Sequence, residues 1–246
     1  MSNKYHTDAY DKAALAADLK DQFPGDFMAH NLRLPRMYRK WDLIGAFGTN
    51  AVTGSGAVAN FTPSTLCAVT GVTNNSSAIC TWFDECPPGG YTEMTPWALR
   101  RFIGFGLALF GSHSSVVRTV QFKRGNAIGE LAARGIEIYC DNLDVYGGSY
   151  SSGLSKTTKL FTAEQYKWQG ILIDHNPASG RIDFYVNTGA GFPAFGSPTA
   201  SITTAANIPS IVMDDAACYV CLSVSKGAVA DDCAIGVIDM WELYPA

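Results

Sequence analysis

The chain has 246 residues, 47% hydrophobic, 12% aromatic and only 16% charged, with a formal net charge of −4. That is enough apolar material for one large domain with a full core, and too little positive charge for a nucleic-acid-binding face. Its longest apolar run, Phe102 to Phe110 (FIGFGLALF), is too short to cross a bilayer, so neither nucleic acid nor membrane is an expected partner.

Residues 1–40 differ in pattern from the rest of the chain and are read as an N-terminal arm, with 41–246 the main domain. Asp8 to Gln22 fits a short helix, with Tyr10, Ala13, Ala14 and Ala17 as apolar or helix-favouring positions, and Pro24-Gly25 ends it. The arm carries seven Lys/Arg against five Asp. Its second part, with Leu32, Arg33, Arg36, Tyr38 and Arg39, is read either as wrapped on its own domain or as reaching a neighbouring subunit. A helix this short and alanine-rich must pack on something. The opening residues lack the apolar core of a secretory signal, so synthesis in a cytoplasm is expected.

From Trp41 the pattern becomes that of strands. Trp41 to Phe47 is the first expected strand, and Asn74 to Ser77 a turn between Val69–Val72 and Ile79–Phe83. Residues 84–90 are a loop by every local signal, and Thr95 to Arg101 a short helical turn. Phe102 to Phe110 is a buried strand. In Ser115 to Lys123, alternation places Arg118 on the face of Val116, Val120 and Phe122, at a strand end or beneath a partner. Gly135 to Tyr146 is strand, turn and strand. Gly147 to Ser155 (GGSYSSGLS) is expected to be a flexible loop, and Leu160-Phe161 to begin a turn.

Trp168 to Gly191 reads as a hairpin. Ile171 and Ile173 alternate with Leu172; Asn176, Pro177, Ser179 and Gly180 form the turn; Ile182, Phe184 and Val186 alternate with Asp183, Tyr185 and Asn187. Phe192 to Pro198 is a loop carrying aromatics. Ser210–Met213 and Cys218–Val224 are further strands. Ala234 to Tyr244 closes the chain, with Val237, Asp239, Trp241 and Leu243 expected on one face. About twelve to fourteen strands with turns every 8–12 residues predict an all-β, two-sheet antiparallel sandwich.

The order Trp168, apolar strand, Asp174, Gly180, Ile182, then Phe184-Tyr185-Val186-Asn187, resembles the central hairpin of concanavalin A-like, laminin-G-like jelly rolls, with Thr188 where the family continues directly to glycine. The resemblance implies a jelly-roll sandwich and leaves function open, since that fold hosts lectins, glycanases, adhesion modules and virion proteins.

Glycanases of this fold carry Glu-x-Asp-x-x-Glu on one strand. The matching segment here is Val237 to Glu242, with valine at the nucleophile position, so no catalytic residue is assigned. Asp84, Glu85 and Glu93 lack recognisable spacing. Gly111-Ser112-His113-Ser114 is not a G-x-S-x-G elbow, and His113 and His175 read as turn residues rather than bases. No cofactor is expected. If a metal binds, it is calcium, with Asp141, Asn142 and Asp144 the first candidate oxygens and Asp214-Asp215 and Asp231-Asp232 others; each also reads as an ordinary turn residue. Seven cysteines in no regular framework read as reduced, buried residues. The alternative is a Cys80–Cys86 bridge in an oxidising compartment. Loop aromatics Tyr146, Tyr150, Phe192 and Phe195 are the candidate glycan contacts.

These readings converge on a non-enzymatic structural protein, a virion decoration, coat or fibre component partnered by its own copies or other virion proteins. The alternative is a lectin or adhesion module that meets cell-surface glycan outside the cell. A glycoside hydrolase is the second alternative.

Overall fold

Period-two patterning becomes strand throughout the residues that the computed structural model describes: 36–40, 51–62, 65–82, 100–124, 135–189, 191–210 and 218–245. The expected helix at 8–22, the strand at Trp41–Phe47, Leu32 and Arg33 of the arm, the loop carboxylates Asp84, Glu85 and Glu93, residues 211–213 of the strand expected at Ser210–Met213, and the pair Asp214-Asp215 lie outside them; of the helical turn expected from Thr95 to Arg101 only its end is described, and there Arg101 is already strand. Among the described residues there are fifteen strands: β1 (Arg36–Lys40), β2 (Ala51–Thr53), β3 (Ala57–Thr62), β4 (Thr65–Val69), β5 (Ser77–Trp82), β6 (Arg101–Phe110), β7 (Val117–Arg124), β8 (Gly135–Asp141), β9 (Asp144–Tyr150), β10 (Leu154–Thr162), β11 (Gln169–Asn176), β12 (Arg181–Asn187), β13 (Ala200–Ile202), β14 (Cys218–Ser225) and β15 (Ala234–Pro245).

The strands form a two-sheet antiparallel sandwich. One sheet has eight strands in the order β13-β12-β11-β6-β15-β4-β3, with β1 also on β15; the other has seven, β10-β9-β8-β7-β14-β5-β2. β6 takes one edge of β15, and β4 and β1 share the other end to end. The last five residues of the expected arm, including Arg36, Tyr38 and Arg39, therefore form a strand on the sandwich of the same chain. No described helix is long and apolar enough to cross a membrane.

Alternate residues of each sheet meet in the middle. Ile103, Phe105, Leu107 and Leu109 of β6, Ile171 and Ile173 of β11, and Ile182 and Phe184 of β12 face Val120 and Phe122 of β7, Ile136 and Ile138 of β8, and Val220, Leu222 and Val224 of β14. The 168–191 hairpin has the expected register, with Ile173 opposite Phe184 and Leu172 opposite Tyr185. Gly180 ends its turn at φ +60°, and the Asn176 side chain accepts from the Ser179 N–H.

Four expectations are corrected. Gly147 to Ser155 is not a loop: β9 runs to Tyr150, β10 starts at Leu154, and Leu160-Phe161 lies inside β10. The two glycines are there because a Cβ on Gly147 would lie 2.6 Å from the Phe184 ring on the core side, and one on Gly148 would lie 2.7 Å from Glu137 Cγ on the outer side. The phase of β15 breaks at a bulge. Three residue steps from Ile238 to Trp241 oppose two from Gly106 to Gly104, and Asp239 takes φ +50°. Val237 and Met240 consequently share the core while Trp241 lies on the outer face, its indole occupying the space a Cβ on Gly104 would need. His175 is a fully buried strand residue rather than part of the turn. Cys80 is a buried free thiol, as are Cys67, Cys140 and Cys233, so the bridge expected as an alternative is not formed at Cys80; its other end, Cys86, lies outside the described residues.

Candidate functional site

The outer faces of the two sheets differ in chemistry. On the eight-stranded sheet, Gly104, Gly106 and Gly236 leave a trough filled by Trp241, Ile238 and Trp168. The segment after β12 folds back over it. Phe195 stands edge-on to Phe102 and Tyr185 at 5.2 and 5.3 Å between ring centroids, and Phe192 packs on Trp241 at 6.2 Å. Gly170 admits this crossing, since a Cβ there would lie 2.3 Å from the Gly191 carbonyl oxygen. Arg100 lies over the Phe102 ring and donates from Nε and Nη2 to Asp174, at 2.9 and 2.6 Å. Phe192 and Phe195 thus pack against aromatics of their own sheet.

The seven-stranded sheet turns a polar, tyrosine-rich face outward. In β8, Ile136, Ile138 and Cys140 enter the core, so Glu137, Tyr139 and Asp141 point the other way. Pairing sets Tyr146 opposite Tyr139 and Gly148 opposite Glu137. Because Gly148 has no side chain, the Glu137 carboxyl lies across β9 and accepts from the Tyr150 hydroxyl at 2.6 Å. Its other oxygen accepts from Gln121 Nε2 at 3.2 Å. The Tyr139 and Tyr146 rings stand 6.2 Å apart at 46°, and Lys156 of β10 holds its ammonium 3.8 Å from the Tyr139 centroid. Thr119 and Ser223 exchange a 2.7 Å hydroxyl contact on the same face.

Burial sets the roles here. Glu137 is 1% exposed, whereas Tyr139, Tyr146 and Tyr150 are half-buried and Lys156 is exposed. Desolvation pushes the Tyr150 hydroxyl far above the ordinary tyrosine range, its hydrogen bond to Glu137 adding to this. Desolvation and the neighbouring Asp141 and Glu137 raise Tyr139. Both hydroxyls stay protonated donors at neutral pH. Glu137 anchors Tyr150 from beneath, and the tyrosine rings and Lys156 form the accessible part.

The four loop aromatics chosen from the sequence therefore divide. Tyr146 and Tyr150 sit together on this face, on a strand rather than in a loop; Phe192 and Phe195 lie on the opposite sheet. Sequence reasoning missed Glu137, Tyr139, Gln121 and Lys156. The signal for the first two is present in GIEIYCD, whose alternation sets Glu137, Tyr139 and Asp141 on one side.

Asp141, Asn142 and Asp144 lie at the β8–β9 turn, where Asn142 and Asp144 have protein partners. Asn142 takes φ +55°. Its Oδ1 accepts from the Ser112 hydroxyl and the His113 N–H, and its carbonyl accepts from Arg118. Asp144 accepts from Thr162 at 2.6 Å and pairs with Lys159 at 3.2 Å. Asp232 accepts from the Gly71 N–H, and the Asp231 carbonyl from Lys226. Among the described residues no three His, Cys, Asp or Glu gather as metal ligands. His113 closes a turn through Nδ1 and Ser115. Asp141, four strand residues from Glu137, stands about 13 Å along β8. The carboxyl pair of a glycosidase stands about 5–9.5 Å apart.

No family model and no curated protein matches this chain. Solved structures do. A protein of unknown function from Shewanella oneidensis MR-1 is similar over 86% of this chain and 87% of its own, at 12% identity and a TM-score of 0.52. The botulinum neurotoxin serotype C1 binding domain is similar over 79% of this chain at 11% identity and a TM-score of 0.47. The botulinum neurotoxin DC binding domain, solved with rat synaptotagmin II, gives 11% and 0.44. This chain covers 43% and 42% of those two neurotoxin chains. The Shewanella likeness is one of fold.

Proposed function

We propose that the chain is a carbohydrate-binding module of the lectin type, built as a jelly roll, whose seat for a cell-surface glycan is the tyrosine face of β8–β10. One observation carries this: Tyr139, Tyr146 and Tyr150 converge from two strands around the buried Glu137 carboxyl, with Lys156 at the rim. A pyranose offers apolar C–H faces edged by hydroxyls. Tyrosine rings pack on the first, and tyrosine hydroxyls and an ammonium meet the second. The reading is of binding without turnover. Its natural setting is extracellular.

The test is a glycan array with the whole chain, followed by titration of the best glycan. Tyr146→Ala is expected to weaken binding about tenfold or more, as loss of a central aromatic contact does. Phe195→Ala, on the other sheet, should leave affinity unchanged. A blank array, or affinity lost with Phe195→Ala and kept with Tyr146→Ala, would overturn the assignment.

A second reading, a decoration, coat or fibre subunit of a virion, draws on residues 43–83, which include β2 to β5 and hold no Asp, Glu, Lys or Arg. Electron microscopy of the native source tests it by locating the chain in a symmetric particle or finding it free.

A further inference from the structure

The two sides of the sandwich are finished differently. On one side β10 ends the seven-stranded sheet and β13 the eight-stranded sheet. β10 carries Lys156 and Lys159 and two register shifts, β13 is three residues long, and Arg181 and Asp183 flank it on β12. Charges, bulges and shortness are the devices that keep a sheet edge from pairing with another chain.

On the other side β2 and β3 end the two sheets, and among the described residues each pairs along one edge only. From Leu43 to Phe83 there is no Asp, Glu, Lys or Arg. At the chain's 16% charged residues, about six or seven would be expected in such a stretch. The stretch includes β2 and β3 and their neighbours β5 and β4, so the last two strands of both sheets are uncharged. Val52 of β2 is 51% exposed, Val72 of the β4–β5 turn is 65% exposed, and Ala57 of β3 is exposed. Charge does come near this side, with Asp232 and Lys226 bonded to Gly71 of the β4–β5 turn and Arg36, Arg39 and Lys40 in β1 beyond the end of β4, but β3 itself carries none, and among the described residues its outer backbone donors and acceptors are open.

We infer that β3 is a self-association edge, pairing antiparallel with β3 of a second copy of this chain about a two-fold axis. The occupant follows from the absence of charge. In a two-fold strand pair a residue near the axis faces its own copy, so any charge there repels itself, and a partner of another kind would instead be matched by opposite charge. β3 has six residues against three in β2, so it offers the longer row of backbone groups. The tyrosine face lies on β8–β10, at the far end of the other sheet, and stays uncovered. This inference is independent of the glycan reading.

Sedimentation velocity on the whole chain tests it. A dimer of twice 26.4 kDa is expected at tens of micromolar, and Ala57→Lys should raise its dissociation constant at least tenfold without moving the thermal midpoint measured at dilutions where both proteins are monomeric. Hydrogen exchange on the unmodified chain gives a check that needs no variant: β3 amides should be protected at high concentration and lose protection on dilution. A chain that stays monomeric at hundreds of micromolar overturns the inference. So does a dimer whose β3 amides exchange at the same rate at every concentration.

Discussion

Replacing Arg118 with methionine is expected to destabilise the fold by about 3–5 kcal/mol, since several buried carbonyls would lose their donor. Arg118 has no exposed surface and points from β7 into the core. Nε donates to the Ala234 carbonyl at 2.9 Å, Nη1 to Asn142 at 2.7 Å, and Nη2 to Phe110 and Gly111 at 2.8 and 2.7 Å. All four partners are backbone carbonyls: Ala234 and Phe110 on β15 and β6 of the eight-stranded sheet, Gly111 just after β6, and Asn142 in the β8–β9 turn of the other sheet. Burial lowers the guanidinium pKa from its usual value, and the carbonyl dipoles stand in for the lost water. Methionine matches the length and supplies no donor, so several buried carbonyls lose their partner at about 1–3 kcal/mol each before relaxation. Lysine has one ammonium for a site shaped to a planar fork and should fall between. Urea unfolding of the three proteins measures this. A loss under 1 kcal/mol for Arg118→Met would show that the carbonyls find other partners.

The second large effect is a dependence on pH located at one residue. His175 is fully buried on β11, and its Nε2 lies 2.7 Å from the Pro209 carbonyl, so that nitrogen carries the hydrogen. Desolvation, aided by the Arg101 charge and opposed by the Pro209 bond, lowers its pKa to about 3. An unfolded histidine titrates near 6.5. Between those values the unfolded chain binds a proton that the folded chain refuses. The stability His175 supplies is whole above pH 6.5 and falls as pH drops towards 3, by at most about 1.4 kcal/mol per pH unit. At pH 4.5 the loss should be about 2–3 kcal/mol relative to pH 7. Carboxylates titrate in the same range, so the quantity to measure is the difference between the native chain and His175→Gln at each pH. Parallel curves for the two would refute the assignment.

Local pattern reveals the hairpin because its determinants are local. Ile171, Ile173, Ile182 and Phe184 alternate, and Asn176 to Gly180 turn the chain without help from elsewhere. Where pattern misleads, the deciding partner is distant in sequence. Gly147 and Gly148 look like loop residues until Phe184 and Glu137 are seen occupying the space beside them. The phase of β15 departs from simple alternation because one residue is bulged against β6, more than 130 positions earlier. Glu137 escapes a sequence reading because a lone acid on an alternating strand reads as a solvated one; its meaning comes from Gln121 and Tyr150, on the two strands flanking β8. Phe192 and Phe195 look exposed because nothing nearby shows that the loop folds onto Trp241 and Phe102.

The buried cysteines give the fold a way to be watched opening. Cys67 lies on β4, Cys80 on β5, Cys140 on β8, Cys221 on β14 and Cys233 just before β15, all buried. Burial raises the Cys67 thiol to about 11 and those of Cys80 and Cys140 to about 12. A thiol reagent reacts with an accessible thiolate, and the closed sandwich gives it no access to these positions. Modification of each must pass through a local excursion of its own strand. The chain thus carries a clock on five separate segments, and the order in which they react ranks the breathing of the sandwich from margin to centre.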